Sequence, residues 1–358
     1  MKTGSARLPL HYGKAPSWLF QRMKKLAREI TLCIVDECGP DEMLTKLSDP
    51  YWFQALGCVL GFDWHSSGVT TTVCGALKEG IAGMQKELGL FIAGGKGKAS
   101  RKTPAEIEAY CGESSLDPAP LVYASRMSAK VDNTAIQDGY QLYHHTFLFT
   151  KSGAWSVIQQ GMNEDNRYAR RYHWMSNDVT SFVAEPHQAI CCDHKGKTLN
   201  LVAHESEHNR LRSTTLAREK PGTVLSALAN VEELLLPRHH DIKPVYVNKK
   251  RLEKILLQTY EHQPETFETL LGMPGVGPKT VRALSLISEL LYGDRPSFRD
   301  PARFSFSHGG KDGHPYPVDK DTYDFSIHFL KECINKTRMN THEKKEAFRR
   351  LSRFGVAS

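Results

Sequence analysis

The chain has 358 residues, 40% hydrophobic and 24% charged, with a formal net charge of +7. That balance excludes a disorder-dominated, collagen-like or disulfide-scaffold protein, and the length suffices for two domains that each bury a core. Residues 246–358 hold 19 Lys/Arg against 14 Asp/Glu, so the smaller C-terminal part is the more basic, compatible with a polyanionic partner and equally with an ordinary surface.

The opening residues Met1 to Arg7 lead into no long apolar run, so neither a signal peptide nor a membrane span is expected and the sequence reads as cytoplasmic. Eight cysteines are scattered singly or as Cys191-Cys192, the usage of a reduced compartment, and are expected as small buried hydrophobes. Trp18 to Val35 repeats apolar residues at helical intervals with basic residues opposite, which predicts an amphipathic helix. Gly68-Val69-Thr70-Thr71-Thr72 predicts a capped helix start. Asp63, His65, Ser66 and Ser67 then sit on the loop feeding it, where anions bind and catalytic groups often lie.

Gly94 to Lys102 combines glycines with Lys96, Lys98, Arg101 and Lys102, a mobile basic loop that either follows a phosphate chain or is simply solvated. Tyr140–Thr150 and Ala154–Gln160 alternate β-branched and aromatic residues around Lys151-Ser152-Gly153, which predicts a β-hairpin. Asp138 falls just before its first strand, His144 and His145 on opposite faces of it, and Gln159 and Gln160 near the end of the second. Asp132, Asp138 and one of these histidines are candidates for a divalent metal, Mg or Mn, with Lys130 on a phosphate, the equipment of a metal-dependent phosphodiesterase. The Asn163–Trp174 segment offers Arg170 and Arg171 to phosphates and aromatic rings to bases.

Two strings are set aside. His204-Glu205-Ser206-Glu207-His208 fits the zinc-protease pattern but has polar residues where such a helix is buried, and Cys191-Cys192 lacks the spacer that lets two sulfurs reach one ion. Leu211–Leu236 reads as one helix, the proline-bounded stretch Pro237–Pro244 as a linker, and Lys336–Arg353 as a basic helix.

The most informative passage is Leu270-Leu271-Gly272-Met273-Pro274-Gly275-Val276-Gly277-Pro278-Lys279-Thr280. Phe267, Leu270 and Leu271 before it, and Val281, Leu284, Ile287 and Leu291 after it, give each flanking helix one apolar stripe, with Val276 plugging the seam. Gly275 and Gly277 free backbone N–H groups to approach an anion. Pro278 suits a first helical position, and Lys279 and Arg282 add charge at the positive end of the helix dipole.

Two resemblances follow from these motifs. Leu8-Pro9-Leu10-His11 with Gly13-Lys14-Ala15-Pro16, Phe53-Gln54-Ala55-Leu56-Gly57 through Asp63-Trp64-His65-Ser66-Ser67-Gly68, Gly94-Gly95-Lys96-Gly97-Lys98, and Gln137-Asp138-Gly139 with His144-His145 make residues 1 to about 215 resemble the prokaryotic domain of unknown function 763. That name implies no mechanism. The glycine hairpin resembles the helix-hairpin-helix motif, which implies sequence-independent DNA binding at Gly275, Val276, Gly277, Lys279, Thr280 and Arg282. Its likeness to the helix-hairpin-helix DNA glycosylases implies Lys279 as a Schiff-base nucleophile and Asp319, in Tyr316-Pro317-Val318-Asp319, as its carboxylate. Lys320 stands where those enzymes carry threonine, and Cys333 is the only cysteine in this region, so no iron–sulfur cluster is expected.

The sequence therefore reads as an α+β protein: a mixed α/β domain over 1–215 with the candidate catalytic groups, a helix and linker over 216–245, and an all-helical helix-hairpin-helix domain over 246–358. The expected function is DNA processing in repair by a metal-dependent nuclease with backbone contacts at Lys96, Lys98, Arg170, Arg171 and the hairpin. The alternatives are a glycosylase with lyase activity at Lys279 and Asp319, or a non-enzymatic protein binding DNA or structured RNA. No membrane partner is expected.

Overall fold

The computed structural model describes residues 15–62, 67–112, 116–165, 167–192, 194–233, 249–302, 320–337 and 339–354. In chain order the N-terminal helices are α1 (Ser17–Cys38), α2 (Pro40–Ser48), α3 (Pro50–Leu60), α4 (Gly68–Gly80) and the single turn α5 (Gln85–Leu88). Strand β1 (Leu90–Lys96) follows, then α6 (Thr103–Gly112) and α7 (Pro118–Lys130), then strands β2 (Ile136–Gln137), β3 (Gln141–Thr150), β4 (Trp155–Asn163), β5 (Tyr168–Met175), β6 (Ala189–Cys191) and β7 (Leu199–Asn200). Helices α8 (Glu207–Ala217), α9 (Pro221–Glu233), α10 (Lys249–His262), α11 (Phe267–Gly272), α12 (Pro278–Tyr292), α13 (Lys320–Lys336) and α14 (Thr341–Phe354) complete it.

Local signals explain most boundaries. Asp49 caps α3 by accepting from the Tyr51 and Trp52 amides, and Gly61 ends it in the left-handed region. Asp117 caps α7 in the same way through the Ala119 amide. The expected β-hairpin is β3 and β4, paired antiparallel with His145 opposite Gln159. The expected helix over 211–236 is two over its described residues, which end at 233, because Arg218 to Lys220 break the hydrogen-bond ladder and Pro221 opens a new helix. The expected mobile loop over 94–102 is the end of β1 followed by a 3-10 turn from Gly97 to Lys102.

The sheet has the order β1-β3-β4-β5-β6, all neighbours antiparallel, and both faces are covered. Alternation along β1 shows why: Leu90 and Ile92 enter a core with α1 to α4, α13 and α14, whereas Phe91 and Ala93 enter a core with α6 to α12. The architecture is α+β. Residues 246–358 feed both cores: Leu256, Leu271, Val276 and Leu284 join the second, and Leu330, Ile334 and Leu351 join the first. Among the described residues no helix is long and apolar enough to cross a membrane.

Candidate nucleic-acid interface and buried polar relay

The glycine hairpin is built as two helices joined by a tight turn. Thr266 caps α11 by accepting from the Thr269 amide, and Phe267, Leu270 and Leu271 are buried. Gly275 takes a φ of +84°, where a side chain would strain the backbone, and Val276 fills the seam with 1% exposure. Gly277 is extended, Pro278 is the first residue of α12, and Val281, Leu284 and Ile287 bury the helix's apolar stripe. Leu291 is exposed, so the stripe ends one turn earlier than its sequence period suggests.

Two side chains from the sheet side brace this turn. Lys130, at the end of α7, donates to the Val276 carbonyl at 2.6 Å, and burial holds its pKa below the ordinary lysine value. Gln137 donates to the Pro278 carbonyl at 2.9 Å and accepts from Arg282 Nε at 2.5 Å. Lys130 thus serves the hairpin carbonyls rather than a phosphate, and Arg282 turns back toward Gln137. Thr280 is buried, while Lys279 is exposed. The Gly275 and Gly277 amides bond to no described residue, and they border a cavity of about 500 Å³ shared with Lys279 and Arg251.

A second constellation lies where α7 meets the sheet. After Lys130 the helix widens into one π-type turn, Val131–Ala135, which carries Asp132 wholly into the interior. Asp132 Oδ2 accepts from Gln159 Nε2 at 2.6 Å and Trp174 Nε1 at 3.0 Å, and Oδ1 accepts from His187 Nε2 at 2.5 Å. Burial pushes its pKa up, opposed by the charge of His187. On the other side Gln159 Oε1 meets His145 Nδ1 at 2.9 Å, and His145 Nε2 meets the Ser125 hydroxyl at 2.9 Å. Burial lowers the His145 pKa to about 4, so the ring is neutral.

His144 faces the opposite side of the sheet, as the strand period requires. Its Nε2 pairs with Thr146 Oγ1 at 2.9 Å, its Nδ1 is buried without a partner, and burial lowers its pKa to about 3. Both histidines border a cavity of about 260 Å³ at the end of β1, together with Ser125, Tyr143, Arg101 and Arg126. Gly94 makes that strand end possible, since at φ +88° a Cβ would collide with the His145 carbonyl and Thr103 Oγ1. Its amide donates to Glu106 at 2.7 Å and its carbonyl accepts from Lys78 at 2.8 Å. Lys96 and Lys98 are exposed, Lys96 with its amine over the ring of Tyr143, which borders the cavity.

Arg170 and Arg171 are corrected by burial: both are 0% exposed, so neither presents a guanidinium to a nucleic-acid backbone. Arg170 bridges Asp138 at 2.9 Å and Asp300 at 2.8 Å and lies over the Tyr140 ring. Arg171 donates from both terminal nitrogens to Gln54 Oε1 and from Nε to His173. Tyr172 and Trp174 are likewise core residues rather than stacking platforms. The strand direction explains all four, because β5 has one helical layer on each face.

The expected shared metal site of Asp132 and Asp138 meets a different arrangement. Asp138 accepts from the Tyr140 amide, Arg170 and Tyr172, so each oxygen of both carboxylates already takes a protein donor. Among the described residues no group of three His, Cys, Asp or Glu side chains is placed to hold a metal ion. Asp63, His65 and Asp319 lie outside the described residues, so the pairing of Lys279 with Asp319 has no geometry to report. His204 belongs to a 3-10 turn and His208 to α8, both exposed, so they do not share one buried helical face. Sequence reading missed Ser125, His187 and Trp174 as partners of the polar network. The visible signals were Asp132, His145 and Gln159, polar residues beside or within the apolar strands.

No curated protein and no solved structure is significantly similar to the chain. A family model described as a protein of unknown function, DUF763, matches residues 4–318, well past residue 215. The match therefore spans the sheet, the Ser125–Asp132 relay and the glycine hairpin, and the chain belongs to this DUF763 family of unknown function.

Proposed function

We propose that this protein is a DNA-processing factor that holds the sugar-phosphate backbone, without reading bases, on the turn between α11 and α12. The observation that carries the reading is the pair of Gly275 and Gly277 amides left without partners among the described residues, beside Lys279 and at the N-terminus of a helix opened by Pro278. Backbone N–H groups, the helix dipole and an exposed ammonium favour the same ligand, a phosphate oxygen. This is the geometry expected of a helix-hairpin-helix motif. The Lys130 and Gln137 braces fix the turn's carbonyls from behind, so the amides are preorganised rather than ordered on binding.

Gly277 offers a clean test. Its φ of −140° suits any residue, and a Cβ there meets nothing nearer than the Gly275 carbonyl at 3.9 Å. Gly277→Glu should therefore fold normally while placing a carboxylate where the phosphate would sit, lowering duplex DNA affinity at least about tenfold by fluorescence anisotropy. Lys279→Ala should weaken binding evenly across sequences and reduce the slope of log affinity against log salt by about one. Unchanged affinity in a folded Gly277→Glu protein overturns the reading.

A further inference from the structure

Ser125 sits on the face of α7 turned toward the sheet, 2% exposed, and borders the 260 Å³ cavity. The hydrogen bonds around it fix the direction of its proton. Gln159 gives its amide nitrogen to the Asp132 carboxylate, so its oxygen faces His145, and Nδ1 of that ring must carry hydrogen. His145 Nε2 is then bare and takes the Ser125 hydroxyl proton as its hydrogen-bond partner. A hydroxyl beside a neutral imidazole, held in one tautomer by a third group, is the arrangement of an activated oxygen nucleophile.

The cavity's surroundings select the substrate. Arg101 and Arg126 are exposed at its mouth, neither paired with any described acidic residue, and the Lys96 amine lies over the ring of Tyr143, another lining residue.

We propose that this cavity cleaves phosphodiesters, with Ser125 as nucleophile and His145 as its general base. The inference rests on the relay and the cationic mouth and is independent of the hairpin. Ser125 Oγ attacks phosphorus and its proton moves to His145 Nε2. The new O–P bond forms as the bond to the leaving oxygen breaks, and the imidazolium returns its proton through water at the mouth to that oxygen, which departs as the alcohol. A water at the mouth then attacks the phosphoserine as one of its protons passes to His145 Nε2, the Ser125 oxygen leaves, and it takes that proton back. One diester and one water become one monoester and one alcohol. Arg101 and Arg126 bind the phosphoryl oxygens and balance their charge. Gln159 and Asp132 are positioning residues, which keep the imidazole in the tautomer with a bare Nε2.

The test uses the full chain and bis(4-nitrophenyl) phosphate, followed by 4-nitrophenolate release. The native protein should turn over, Ser125→Ala should lose at least about a hundredfold in kcat, and acid-quenched native protein should carry a phosphoryl adduct on the peptide containing Ser125. Arg126→Ala, at an exposed position that does not threaten folding, should raise KM at least about tenfold. No turnover by native protein, native turnover in Ser125→Ala, or an unmoved KM in Arg126→Ala overturns the proposal. The small diester has no polymer backbone for the hairpin to hold, so diester cleavage by a protein that ignores duplex DNA would separate this site from the hairpin reading.

Discussion

Replacing Arg170 with leucine should destabilise the fold by about 3–5 kcal/mol, measured by urea unfolding, because it strands two carboxylates in the interior. Arg170 is 0% exposed and its guanidinium spans Asp138 and Asp300 while donating also to the His194 carbonyl at 3.2 Å. The cost comes less from the lost attraction than from leaving Asp138 and Asp300 desolvated without a counter-charge. Neutralising them as well should recover much of the loss: the triple variant Arg170→Leu, Asp138→Asn, Asp300→Asn is expected to be markedly more stable than Arg170→Leu alone. A loss below about 1 kcal/mol in the single variant would mean the cluster is solvated in solution.

Acidification should weaken the fold well before ordinary carboxylates titrate. Burial lowers the pKa of His145 to about 4, of His144 to about 3, and of His173 far below its usual value of 6.5. As pH falls below about 6.5 the unfolded chain takes up protons that the folded chain refuses. Stability from these groups is complete above about 6.5 and is lost on the way down through the folded values, at about 1.4 kcal/mol per pH unit for each imidazole. Asp132 and Asp138, raised by burial, contribute with the opposite sign as they protonate, so the diagnostic quantity is a difference between proteins. Urea unfolding at about pH 7.5 and about pH 5 should show a smaller acid loss in His173→Gln than in the native chain, by roughly one imidazole's share. An equal loss in both proteins would show His173 protonating freely in the fold.

What the sequence revealed and what it hid divide by sequence distance. The β3–β4 hairpin, the position of the α4 start at Gly68 and the α11–α12 turn were legible because period-2 alternation, glycine punctuation and a proline at a first helical position act within a few residues, although Ser67 makes no side-chain cap to α4. Arg170 and Arg171 read as phosphate contacts because a local window shows two cations beside tyrosines. Their partners Asp300 and Gln54 are 130 and 117 positions away, and only the folded sheet brings them together. Ser125 gave no signal at all, since a serine inside an apolar helix is ordinary. The one-turn widening after Lys130 that delivers Asp132 to Gln159 likewise has no sequence pattern. His144 and His145 were placed correctly on opposite faces, yet nothing local distinguishes a ring with a partner on each nitrogen from one with a vacant nitrogen.

Helix α7 carries both Ser125 and Lys130, five residues and about 7.5 Å of axial rise apart. Ser125 belongs to the relay and Lys130 to the back of the glycine turn, so one rigid rod sets the offset between the two places. Adding or deleting one residue between them would swing Lys130 by about 100° around the axis and release either the turn or the relay. The fold of this stretch, as distinct from its activity, should survive substitution of the outward Arg126 far better than any change in its length.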